Sequence, residues 1–134
     1  MKLISFSDGG ARGNPGPAGI GVVLYNEKKE LIKEFSRYLG ETTNNQAEYR
    51  ALIMALEKAH ELEASELDCF LDSELVVKQL NREYKVKNQE LAPLFLKIHN
   101  LSLEFKKITF THIPREKNKE ADALANQAMD RGGD

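Results

Sequence analysis

The chain has 134 residues, enough for one domain with a buried core, and we expect a single domain spanning 1–134. Charged residues make up 30% and hydrophobic residues 41%, the balance of a globular domain, and no apolar run approaches the ~20 residues that span a bilayer. A net charge of −2 gives no general attraction to nucleic acid, and a lone Cys69 excludes an internal disulfide or a cysteine-ligated metal cluster. The opening MKLISFSDGG lacks a signal-peptide core, so a reducing cytoplasm is the expected home.

Apolar and polar residues alternate from Leu3 to Ser7, and a strand is expected to end at Asp8. The glycines and prolines of Gly9–Pro17 mark a tight turn that should close by Ala18, because Pro is unwelcome inside a ladder. The apolar run Ile20–Leu24 is a second strand, and Leu31 to Leu39 is a third. Short turns join the three, which suggests an antiparallel meander. Thr43 or Asn44 is a good N-cap for a helix from Ala47 to Leu62, rich in Ala, Leu, Met and Glu. Its apolar stripe holds Leu52, Ala55, Leu56 and Ala59, and Glu48 falls on the same stripe. A carboxylate on the core side of a helix is unusual.

Glu66 to Leu71 reads as a fourth strand that Asp72 terminates, and Ser73 caps a helix through Leu80. Asn81–Asn88 is a basic polar link. A further helix runs from about Gln89 to Leu103, with Pro93 in its first turn. Ile108 to Ile113 alternates strictly and forms the last strand. After the charged loop Pro114–Lys119, a final helix covers Glu120 to Met129, with Asp122 on or beside its packed stripe. Arg131–Asp134 reads as a frayed tail. Strands first, then helices alternating with strands, predict an α/β fold: a mixed sheet with helices on both faces.

Four acids stand out: Asp8, Glu48, Asp72 and Asp122. Two end strands and two sit on inward helix stripes. Taken singly, a strand-end Asp ordinarily caps a turn, and a helix Glu ordinarily pairs with Lys or Arg. Brought together, two carboxylates ~4 Å apart repel by about 4 kcal/mol at an effective dielectric near 20, so a cluster demands protons or cations. Hard oxygen ligands suit Mg²⁺ or Mn²⁺ over zinc, and two such ions can clamp a displacement at phosphorus.

The glycine turn fits neither a dinucleotide fingerprint nor a P-loop, since a strand and no helix follows it. His60 and His99 lie in helices and read as surface or packing residues. His112 ends a strand beside the charged loop, a place that suits a proton shuttle. Cys69 reads as a core residue. Tyr84 with Arg82, Lys85 and Lys87 suits either a phosphate backbone or a solvated linker.

The segments SDGGARGNPGPAGIG, TTNNQAEYRALIMAL, LDSELVV and HIPREKNKEADALAN resemble the four successive motifs of type 1 ribonuclease H, and the match covers nearly the whole chain. The resemblance implies the ribonuclease H fold, a five-stranded mixed sheet of order 3-2-1-4-5 flanked by helices. It implies metal-dependent hydrolysis of the RNA strand of an RNA/DNA hybrid, with Mg²⁺ (two ions per site) or Mn²⁺ as substitute, leaving 5′-phosphate and 3′-hydroxyl ends. Asp8, Glu48, Asp72 and Asp122 match the catalytic, metal-holding acids. His112 matches the loop histidine that aids proton transfer or product release. Gly13, Asn14, Asn44 and Asn45 match positions that hold the hybrid, and neutral amides suit the 2′-hydroxyls of an A-like minor groove. Glu74 stands where many members carry Gln, which alters a contact to the RNA strand. The segment between Asp72 and Gln89 is short, as in members without a basic handle. Monomeric action is expected. The competing expectations are a non-catalytic nucleic-acid-binding module on this fold and a resolvase- or integrase-type nuclease; the TTNN segment before Glu48 argues against the second.

Overall fold

The computed structural model describes residues 1–132; Gly133 and Asp134, the end of the expected tail, lie outside the described residues. Five strands form one sheet: β1 (Lys2–Ala11), β2 (Gly16–Asn26), β3 (Leu31–Thr42), β4 (Glu66–Leu71) and β5 (Lys107–His112). Their order is β3-β2-β1-β4-β5, the order expected. The meander β1-β2-β3 is antiparallel, while β4 pairs parallel with both β1 and β5. Four helices flank the sheet: α1 (Asn44–Glu61), α2 (Glu74–Leu80), α3 (Ala92–Ser102) and α4 (Lys119–Arg131).

The helix starts follow local chemistry. The Thr43 hydroxyl accepts from Gln46 N at 3.2 Å, and α1 therefore begins three residues before the expected Ala47. The Ser73 hydroxyl accepts from Val76 N at 3.3 Å and starts α2. Pro93 sits in the first turn of α3, which begins at Ala92, later than the expected Gln89. Arg131 closes α4 as helix, not as frayed tail, and Gly132 caps it at φ +63°.

One boundary shifts in a way that matters. Asp8 does not end β1; the ladder continues through Ala11, which pairs with Ala18. The turn is accordingly shorter than expected, and Pro17 already lies in β2. Pro17 is tolerated near the start of that strand because its carbonyl, not an N–H, closes the turn by accepting from Arg12 N at 2.8 Å.

Asp8 pairs with Gly21, and Gly9 with Ile20, so Asp8 and Gly9 point to opposite faces of the sheet. α1 presses on the Gly9 face, where a Cβ at Gly9 would lie 2.3 Å from the Ala47 backbone. α4 presses on the other face, where a Cβ at Gly21 would lie 2.2 Å from Ala121 O. Glycine at these two positions lets both helices lie directly on the central strands. The core sits on the α1 face. Leu3, Leu24, Leu52, Leu56 and Leu67 have no solvent exposure there, and each buried Leu contributes about 1.5–3 kcal/mol. Cys69 is buried in that core, as expected, and burial pushes its thiol up to about 12.

Candidate active site

The close approach at Gly9 puts the first turns of α1 against β1 and so carries Glu48 to Asp8. Asp72 follows β4, which is parallel to β1, and so emerges beside Asp8. Carboxylate oxygens of Asp8, Glu48 and Asp72 all lie within 4.8 Å of one another. Asp122, in the first turn of α4, lines the same cleft of about 440 Å³, one residue after the Ala121 contact at Gly21. It is two-thirds buried and stands 3.8 Å from Arg115 Nη2.

The electrostatics of this cluster are those of too many acids in too little water. Burial, then the charge of Asp72 and the carboxylate of Asp122, push the Asp8 carboxyl up to about 9. Burial and Asp72 push Glu48 up to about 7, against a hydrogen bond from Ser73. At neutral pH the cleft therefore retains protons or takes up a cation. The donor set is all carboxylate oxygen, held by three separate elements within a few ångströms. That set fits a hard divalent cation such as Mg²⁺ or Mn²⁺.

The expected substrate-contact residues divide. Asn14 and Asn44 come together: Asn44 N donates to Asn14 Oδ1 at 3.1 Å, and Ala11 N donates to Asn44 Oδ1 at 2.7 Å. These bonds tie the β1–β2 turn to the start of α1. Gly13 in that turn has φ +113°, which only glycine adopts at ease. Asn45 follows in the same first turn of α1, half-buried. Glu74 stands apart at the start of α2, where the Lys78 ammonium at 2.8 Å holds its carboxyl below the ordinary range. His112, the exposed last residue of β5, is paired in register with Leu71, one residue before Asp72; it is not among the residues that line the cleft. His60 is exposed and edges against Phe105, and His99 meets Arg82 Nη2 at 3.3 Å, both outside the cleft.

Three cleft residues escaped the sequence reading. Arg115 brings a cation to Asp122. Arg12 lines the cleft while paired with Asp130 at 2.7 Å, tying the glycine turn to α4. Asn126 also lines it, with Nδ2 donating to Asp122 O at 3.0 Å. Charge balance alone marks Arg115, as an arginine in the loop next to an expected acid; no signal marks Arg12 or Asn126.

Residues 6–128 match a family model described as reverse transcriptase-like. A ribonuclease H of Campylobacter concisus is 35% identical over 141 residues, which cover 96% of this chain and 94% of that protein. A bifunctional protein of Mycobacterium tuberculosis is 43% identical over 131 residues, but the chain spans only 36% of its length. The crystal structure of LC11-RNase H1 in complex with an RNA/DNA hybrid superposes with a TM-score of 0.92 at 49% identity, over 96% of this chain and 97% of that one. Motif order, strand order and these likenesses agree, and the chain belongs to the ribonuclease H family.

Proposed function

We propose that this chain is an endonuclease that hydrolyses the RNA strand of RNA/DNA hybrids and leaves 5′-phosphate and 3′-hydroxyl ends. The observation that carries the reading is the trio Asp8, Glu48 and Asp72, with carboxylate oxygens within 4.8 Å of one another. The likeness to a protein solved on such a hybrid supports the substrate. Asp8, Glu48 and Asp72, with Asp122 beside them, would hold the divalent metal, two Mg²⁺ ions in our reading. Bound there, the metal supplies an activated water and charge against the phosphate oxygens.

The chain's own groups do the rest. Asn14, Asn44 and Asn45 present uncharged amides near Gly13, and these can both donate to and accept from 2′-hydroxyls. Arg115 reaches the cleft with a fixed positive charge that suits a phosphate. His112, exposed at the end of β5, takes or returns a proton as the product leaves. Glu74, its charge offset by Lys78, borders the RNA strand. We place this chemistry in one domain acting as a monomer in the cytoplasm; none of the described helices is long and apolar enough to cross a membrane.

The test is cleavage of an end-labelled hybrid with Mg²⁺, with Mn²⁺ and with EDTA, beside an RNA/RNA duplex and single-stranded RNA. We expect metal-dependent cutting of the hybrid's RNA strand. A folded chain that binds the hybrid yet is silent in every metal is a binding module instead.

A further inference from the structure

A second concavity, of about 550 Å³, opens on the α4 face of the sheet, below the acids. Its floor is Ile4, Phe6 and Phe70, with Tyr25 at the side. The Phe6 and Phe70 rings stack at 5.3 Å, and Tyr25 meets Phe6 edge-on at 5.8 Å. All four residues keep some solvent exposure. Phe6 and Phe70 sit on adjacent central strands, in register, and both keep some exposure beside the first turn of α4.

The rim is charged. Lys29, Lys117 and Lys119 are exposed, and none joins an ion pair among the described residues. Of the two rim acids, Glu116 and Glu120, Glu120 is engaged as acceptor from Tyr25 Oη. The rim thus has a local positive surplus on a chain whose net charge is −2. At the inner end stands Asn118, only 2% exposed. Its Nδ2 donates to Ser7 O at 2.9 Å, while its Oδ1 has no partner among the described residues. An orphaned buried acceptor of this kind is costly.

The position relates this groove to the cleft. Phe6 and Phe70, paired on the parallel strands β1 and β4, each lie two residues before an acid, Asp8 in β1 and Asp72 just past the end of β4. Two residues of strand advance about 7 Å. Aromatic surface with uncommitted ammonium groups is the chemistry that grips an unpaired nucleic-acid strand: bases lie on rings and phosphates meet lysines. A purely apolar segment would have no use for the lysines.

We propose that the Phe6–Phe70 groove, rimmed by Lys29, Lys117 and Lys119, is a binding site for single-stranded nucleic acid adjoining the cleft. It takes an unpaired strand running off the hybrid, and it rests on the hydrolase reading only for that orientation.

The experiment measures fluorescence anisotropy of a labelled single-stranded DNA, which is not a substrate, on the full chain. Phe70→Ala and the double variant Lys117→Ala/Lys119→Ala are compared with the unaltered chain, and blunt-hybrid cleavage is read in parallel. Loss of one stacked base weakens binding about tenfold. The double variant should also flatten the slope of log affinity against log salt by about 1.4, at about 0.7 for each phosphate no longer neutralised. Its blunt-hybrid cleavage should be unchanged. The double variant changes only exposed side chains, so it keeps the test valid even if Phe70→Ala unfolds. Single-strand affinity equal in the double variant and the unaltered chain, or absent from both, overturns the groove while leaving the hydrolase intact. Failure of the unaltered chain to cut any hybrid overturns the hydrolase reading, whatever the groove binds.

Discussion

On the α1 face of the sheet, Leu3, Val22, Leu24, Leu67 and Cys69 have no solvent exposure. On the α4 face, Ile4, Phe6, Asp8 and Phe70 all keep some. The same strands supply both faces, residue by alternate residue. One face closes around apolar side chains and holds the fold together. The other stays half open and carries Asp8 and Asp122, toward which Glu48 reaches from α1 and Asp72 from the end of β4. Stability and chemistry are therefore partly separable in this molecule, and substitutions on the two faces should fail in opposite ways.

The largest effect belongs to the open face. Asp8→Asn should reduce hybrid cleavage by more than about 1000-fold, the scale of a lost metal-holding charge. The same change should stabilise the metal-free fold. Burial and neighbouring acids raise the Asp8 carboxyl to about 9, above its unfolded value near 4, so the native state binds the extra proton. Stability from this group is then greatest in acid and is lost as pH rises toward 9. Asp8→Asn removes that penalty, so its gain in Tm should be largest at pH 9 and vanish near pH 4, by about 4 °C for each 1 kcal/mol. A thermal melt across pH in EDTA checks it, and a drop in Tm at pH 9 would break the comparison.

Leu56→Ala, on the closed face, should do the reverse. It should cost about 2–5 kcal/mol in urea unfolding, with cleavage per folded molecule kept. Gly9→Ala is the crossing point between the faces. A Cβ there would meet the Ala47 backbone at 2.3 Å, which forces α1 away and Glu48 with it. We expect about 1–3 kcal/mol of lost stability together with slower cleavage, read by urea midpoint and single-turnover rate. The smallest effect is His112→Ala. An exposed residue outside the cleft lining should slow cleavage by only about tenfold, and an unchanged rate would remove its assigned proton.

The strands, the helices and the four acids were legible because each leaves a local mark: an alternation, a cap, or a charge on an apolar stripe. The packing phase of β1 was not. Ser5 and Ser7 are the buried pair, at 0% and 2% exposure, while Ile4 and Phe6 face the open side. α1 lies so close at Gly9 that small side chains fit beneath it best, and a pattern of polarity carries no trace of that distance. The reach of Arg115 to Asp122 was hidden for a related reason, since a short 3₁₀ turn at Arg115–Lys117, not a helical repeat, sets it. The extension of β1 past Asp8 depended on Ala18, on another strand, as its partner.

The acids come from β1, α1, the end of β4 and α4, and so from positions 8, 48, 72 and 122 along the chain. On a ribosome, a chain that has exposed everything through β5 still lacks the fourth acid and the helix that walls the cleft. In the order of synthesis the wall of the cleft is thus the last part to be supplied, by the helix that rests on Gly21.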